Sequence, residues 1–91
     1  MAALDLLSRR WVLRILWELR DGPVGFRELR ERCEAMSPDT LSTRLHELEA
    51  AGLASSGDAG WALTKLGQKL DPSLKALDQW ARAWAKTFEG S

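Results

Sequence analysis

Apolar positions recur along this chain with two different periods, and each change of period marks a new element. Leu4, Leu7 and Trp11 keep helical spacing, and Val12, Leu13, Ile15, Leu16 and Leu19 widen the stripe into that of a fully packed helix. Ser8 is placed to start a fresh turn, and Asp21, Gly22 and Pro23 stop the helix. Arg14 and Glu18 stand four apart on its polar side, an ordinary surface pair. Val24 and Gly25 leave room for a few extended residues, a third strand beside any hairpin. Phe26, Leu29 and Cys33 then fall three and four apart, which predicts a second helix from Phe26 to Glu34 with these three side chains facing inward.

The stretch from Ser37 to Leu53 predicts a third helix, over about 38–51. Ser37 can cap its first free amides, Pro38 suits the first turn, and Asp39 sits where the helix dipole favours an anion. Gly52 closes it with a left-handed cap. Leu41, Leu45 and Leu48 share one face, which must be buried. At about 100° per residue, Asp39, Thr43 and His46 point the other way, with Thr40, Ser42 and Glu47 on the flanks. Such a helix could read base edges in a DNA major groove, and it could equally be an ordinary solvated helix.

The period then changes to two. Leu53 and Ser55 alternate on one side, Gly57 to Gly60 make a turn, and Trp61 with Leu63 alternate again, which predicts a short hairpin over about 53–63. Thr64 can cap a further helix over about 65–88, with a kink or a fresh start at Asp71 and Pro72. Leu70, Leu74, Leu77, Ala81, Trp84 and Phe88 alternate steps of four and three, and Trp80 widens that seam. A helix so apolar, ending so small a chain, is expected to meet its copy in a dimer; the alternative is that it completes the monomer core. Helix, turn, helix and hairpin is the order of a winged helix-turn-helix domain. The expected fold is mainly α with a small β-hairpin, an α+β arrangement forming one domain across 1–91.

Composition changes this picture in three ways. With 91 residues the chain buries about 60% of the surface it exposes when unfolded, so five tryptophans are a heavy aromatic load that a second copy would help to cover. The 13 basic and 13 acidic residues cancel, so any DNA binding rests on local clustering of charge. One cysteine excludes an internal disulfide and a cysteine-based zinc cage, which fits a reducing interior. Asp5 and the Arg9-Arg10 pair interrupt the apolar residues near the start, so neither a signal-peptide core nor a membrane span is expected, and the chain is expected to be cytoplasmic.

Candidate chemistry is sparse. Cys33 falls on an inward face and reads as a small buried hydrophobe. His46 is the single histidine and lies on a different helix, which argues against a Cys-His pair. With no acid-base pair, metal cluster or phosphate loop in the pattern, no enzyme, cofactor or metal is expected. Arg27, Arg9 and Arg10 are placed to touch phosphates or simply to be solvated. The hairpin tip carries Asp58 and no basic residue, a poor partner for a phosphate backbone. Trp11, Trp80 and Trp84 are expected in the core, or around an effector site between subunits.

In order and spacing, several groups of residues resemble one family across almost the whole chain. They are Leu4-Asp5-Leu6 leading to Arg10-Trp11, the Asp21-Gly22-Pro23 turn, Phe26 with Glu28-Leu29-Arg30, and the run from Ser37 to Leu53. Leu63-Thr64, Leu66-Gly67, Leu70, Pro72, Leu77 and Trp80 continue the pattern. The sequence is similar to the HxlR family of bacterial winged-helix transcriptional regulators, a branch of the MarR-like group. The resemblance implies a homodimer whose N- and C-terminal helices pair through Leu4, Leu7, Leu74, Leu77, Trp80, Ala81, Trp84 and Phe88. It implies two reading helices in successive major grooves of a pseudo-palindromic double-stranded operator, with Ser37, Thr40, Thr43, Arg44 and His46 at or near DNA, Arg44 as a phosphate anchor; Asp39, beside them, could by its own chemistry accept from a cytosine amino group. Departures from the family pattern are Asp39 where a basic residue is usual, His46 where arginine is frequent, and a shorter, less basic wing. A cysteine before the first helix is also missing, so redox sensing of that kind is not expected. The neutral balance and the acids Asp39, Glu47 and Glu49 keep a second class of function in view, a winged-helix module that binds another protein.

Overall fold

The computed structural model describes residues 2–89. Residues 1, 90 and 91, which the expected domain 1–91 includes, lie outside the described residues.

The first apolar stripe folds as two helices, α1 (Ala2–Leu7) and α2 (Val12–Leu19). Ser8 closes α1 rather than opening α2, because its Oγ donates to the Asp5 carbonyl at 3.1 Å. The chain then turns through Trp11, whose φ of 79° is left-handed and unusual for so bulky a residue. In α2 the residues Val12, Ile15, Leu16 and Leu19 are essentially inaccessible and form one wall of the core.

Helix α3 (Phe26–Arg32) is shorter than the spacing predicts, because Glu34 and Ala35 take φ values of 62° and 55° and turn the chain towards α4. Phe26 corrects the expectation of an inward face. It is the first residue after the N-cap Gly25, at the outer end of the helix, and remains 37% exposed. Leu29 and Cys33 are fully buried, and Met36, beyond the turn, adds to the core. Val24 forms an isolated antiparallel bridge with Trp61, with both backbone hydrogen bonds at 2.8 Å.

Helix α4 (Pro38–Ala50) buries Leu41, Leu45 and Leu48 completely. Its C-terminus is a Schellman motif. The Leu53 amide donates to the Leu48 carbonyl at 2.9 Å and the Gly52 amide to the Glu49 carbonyl at 3.0 Å, with Gly52 at φ 79°.

Strands β1 (Ala54–Gly57) and β2 (Gly60–Leu63) pair antiparallel, with Ala54 opposite Leu63 and Gly57 opposite Gly60. The phase of the first strand differs from the expectation. Leu53 is taken up by the helix cap, so Ala54 and Leu63 face the core while Ser55 is exposed. Gly60 is required where it stands: at φ 115°, a Cβ would lie 2.5 Å from the Val24 carbonyl oxygen.

Of the two courses expected for the segment over 65–88, a kink or a fresh start at Asp71 and Pro72, the chain takes the fresh start. Thr64 caps the short α5 (Lys65–Gln68), its Oγ1 accepting from the Gly67 amide at 3.1 Å, and α6 (Asp71–Glu89) starts afresh. Pro72 lacks an amide hydrogen and so suits the first turn of a helix, not its interior. Leu74 is the residue of α6 buried in the core; the helix follows α2 as far as Ala81 and then extends beyond it, and the body measures 47 × 28 × 22 Å. The architecture is mainly α with a two-stranded hairpin, a winged helix-turn-helix arrangement. No helix among the described residues is long and apolar enough to cross a membrane.

Candidate nucleic-acid interface

The outward ridge of α4 carries Asp39, Thr43 and His46, all exposed, with Thr40, Ser42 and Glu47 half-buried at its sides. Ser37 occupies the N-cap position, yet its side chain makes no capping hydrogen bond; the backbone does the work, with the Leu41 amide donating to the Ser37 carbonyl at 3.0 Å. The exposed Ser37 hydroxyl is therefore available at the start of the helix.

Each flank of this helix is fastened to a neighbour. On one side Arg44 Nε donates to the Arg10 carbonyl at 2.9 Å and Nη1 to Glu47 Oε1 at 2.8 Å. Arg9 Nε approaches Glu47 Oε2 at 3.3 Å. Three residues expected near phosphate, Arg9, Arg10 and Arg44, are thus brought together where α1 meets α2, with Glu47 among them. Arg10 also lies over the Trp11 ring at 5.7 Å. On the other side His46 Nδ1 lies 2.7 Å from the Ser42 carbonyl and its ring meets Trp61 of β2 edge-to-face, with centroids 6.1 Å apart. A carbonyl only accepts, so Nδ1 carries the hydrogen, which leaves Nε2 as an acceptor in the neutral form of the ring.

Arg27 stands exposed in the first turn of α3 and has no ion-pair partner among the described residues. It is separate from the Arg9–Arg10–Arg44 group. The turn between α3 and α4 depends on a residue that the apolar spacing does not single out. Arg30 Nε donates to the Met36 carbonyl at 2.7 Å, tying together the ends of the left-handed Glu34–Ala35 segment. Arg14 likewise does more than pair with Glu18, since its Nη2 donates to the Arg32 carbonyl at 2.6 Å and joins α2 to α3. Nothing in the spacing of charges signals either contact, because both acceptors are backbone carbonyls.

Residues 6–89 match the family described as HxlR-like helix-turn-helix. This chain belongs to that family. The HTH-type transcriptional regulator YvaP of Bacillus subtilis, itself uncharacterized, is 34% identical to this HxlR-family chain over 89 residues, covering 90% of this chain and 82% of YvaP. The crystal structure of quinone-bound YodB from B. subtilis superposes with a TM-score of 0.82 at 32% identity, covering 90% of this chain and 93% of YodB. A candidate HxlR family transcriptional factor from Thermoplasma volcanium gives a TM-score of 0.81 at 27% identity, over 94% of this chain and 84% of that one. The chain is thus a member of a family of transcriptional regulators.

In this HxlR chain the residues singled out for dimer contact divide into two groups. Leu74 is already covered by the chain's own core at 6% exposed, and Leu7 is half-buried. Leu4, Leu77, Trp80, Trp84 and Phe88 remain open at 46–65% exposed, and Ala81 is exposed between them. Trp80 stacks on Trp84 at 6.2 Å, and Trp84 meets Phe88 edge-to-face at 5.0 Å, so the aromatic groups form a continuous ladder along α6. A hollow of about 380 Å³ between α1, α2 and α6, lined by Leu4, Leu7, Leu13, Leu70, Leu74 and Leu77 with two serines, adjoins it. Trp11 is half-buried against the core and does not join this face. Cys33 is fully buried, and burial raises its thiol pKa above the usual value, partly offset by the Arg14 charge. No cluster of metal-binding side chains occurs among the described residues.

Proposed function

We propose that this HxlR-family chain is a homodimeric, sequence-specific DNA-binding regulator that places one α4 per subunit in the major groove of a pseudo-palindromic site. The observation that carries the reading is the α4 ridge: Asp39, Thr43 and His46 stand exposed on a helix whose opposite face is completely buried. Thr40 and Thr43 are suited to donor or acceptor edges, and Asp39 to the cytosine amino group. The His46 Nε2 acceptor suits an amino group as well. Ser37, Arg27 and Arg10 are the positioning contacts to phosphate, joined by Arg9 as far as Glu47 releases it, while Arg44 holds the helix from its flank. Pairing of α1 and α6 between copies covers the aromatic ladder and sets the spacing of the two reading helices. Such a regulator acts by binding, in the cytoplasm where the DNA is.

The test is binding to a pool of random duplexes across a salt titration, with the protein at dimer-forming concentration. Affinity that falls steeply with salt, with a palindromic sequence enriched at moderate salt, is the expected result. In the same selection Asp39→Ala should relax the preference at one base position, and an unchanged preference there removes Asp39 from base reading.

A second reading is favoured by one observation: Arg9 and Arg44 are paired with Glu47, and the hairpin tip presents Asp58 in place of a cation. In that reading the α4 face binds a basic protein partner. Absence of DNA binding even at low salt would decide for it.

A further inference from the structure

Glu47 sits between two arginines on the flank of the reading helix, and the two contacts are unequal. Arg44 is held by the Arg10 carbonyl at 2.9 Å as well as by Glu47 Oε1 at 2.8 Å, and its side chain is only 21% exposed. The Arg9 side chain makes one ion-pair contact, 3.3 Å from Glu47 Oε2 and without a hydrogen bond, and is 55% exposed. Arg44 is therefore a fixed part of the joint between α1, α2 and α4. Arg9 is a solvated cation on a single tether, beside the face that would meet DNA. A carboxylate and a phosphate offer an arginine the same kind of acceptor, two oxygens carrying negative charge.

We propose that Glu47 is an internal stand-in for DNA phosphate, holding Arg9 until a backbone phosphate takes its place, so that Glu47 positions Arg9 and limits the affinity of the α4 face. The proposal rests on the DNA-binding reading above. Its consequence is that Arg9 adds little net binding while Glu47 is present, because each phosphate contact it gains takes one of the carboxylate's two arginines away and leaves Oε2 without its cation, while Arg44 stays on Oε1. Removing the carboxylate should turn Arg9 into an ordinary phosphate contact.

The experiment measures binding of a labelled, fixed-sequence duplex by wild type, Glu47→Gln, Arg9→Gln and the double variant, by fluorescence anisotropy across about 30–200 mM salt. Glu47→Gln should bind about three- to fivefold more tightly, the scale of one partly exposed ion pair. The slope of log affinity against log salt should steepen by about 0.9, the value for one further phosphate contact. Arg9→Gln should leave affinity and slope close to wild type, and in the Glu47→Gln background it should abolish both gains. Glu49→Gln removes the same charge from an exposed position on the same helix. Its effect should be the same with or without Arg9, which separates tethering from a general loss of negative charge.

Arg9→Gln keeps the Arg44–Glu47 contact, so it tests the proposal even where Glu47→Gln perturbs folding. A wild-type slope that drops by about 0.9 on Arg9→Gln would overturn the tether. Equal slopes in wild type and a folded Glu47→Gln would overturn it too, while leaving DNA binding intact. Binding by Glu47→Gln and none by wild type would support the tether and overturn the regulator reading of the native chain. Binding by neither would overturn both.

Discussion

The aromatic ladder on α6 gives the sharpest quantitative expectation. Trp84 is 54% exposed, stacked on Trp80 and in edge contact with Phe88, both on its own helix. Truncation to alanine leaves the monomer largely intact, because alanine is the better helix former and little buried surface is lost. In a two-fold dimer the same change removes the side chain twice. Full burial of a large apolar side chain contributes about 1.5–3 kcal/mol. With about half of Trp84 left to bury, the loss is about 0.8–1.5 kcal/mol per copy and about 1.5–3 kcal/mol per dimer, or roughly 10- to 150-fold in the dimer Kd. Sedimentation velocity over a concentration series reads that shift directly, and thermal unfolding at low concentration checks the monomer. A wild-type protein that stays monomeric at about 100 µM, or a Trp84→Ala dimer constant within about threefold of wild type, would refute the assignment of α6 to self-association.

Other expectations concern the frame that holds α4. Leu45→Ala should cost about 2–5 kcal/mol in urea unfolding, since Leu45 is completely buried under the reading helix. Gly60→Ala should destabilise by at least about 1–3 kcal/mol, because the strained φ and the clash with the Val24 carbonyl act together; unchanged stability would mean the bridge from Val24 to Trp61 is dispensable. Cys33 in the native protein should react with a thiol reagent far more slowly than in denaturant, because it is fully buried and its pKa is raised. The same shift has a sign for stability. The unfolded thiol ionises first, at about pH 8.5, so the unfolded chain then binds fewer protons and stability falls as pH rises from there towards the folded pKa. Cys33→Ala should lose this alkaline dependence while costing some core packing.

Period and cap chemistry made α4 legible in the sequence, and for a physical reason. Leu41, Leu45 and Leu48 carry the helical repeat at full burial, and Gly52 is the left-handed residue that a Schellman cap needs. Those are local rules, and they placed the ridge of Asp39, Thr43 and His46 correctly outward. The division of the end segment into α5 and α6 was half legible, since Pro72 signals a boundary but only tertiary packing decides between a kink and a new start. What stayed hidden is tertiary in origin. Phe26 follows the periodicity of Leu29 and Cys33, yet sits at a helix tip where it is only partly covered. Leu53 fits the alternation of a strand, but the cap of α4 claims its amide.

The cations were the least legible part, because an arginine's role depends on which carbonyl or carboxylate lies within reach. Arg30 and Arg14 tie elements together through backbone acceptors far along the chain. Arg44 shares a helix with the exposed ridge and yet points to the α1–α2 joint. Arg44 and Arg30 thus hold α4 and the turn before it in place. The side chains left to meet a partner are short and mostly neutral: Ser37, Thr40, Thr43 and the acceptor nitrogen of His46, with Asp39 as the one full charge on the ridge. Such a surface gains little from long-range attraction and much from hydrogen-bond fit. If it meets DNA, its discrimination between sequences should be large relative to its non-specific affinity, and the salt slope should count few phosphates, with Arg27 and Arg10 foremost among them.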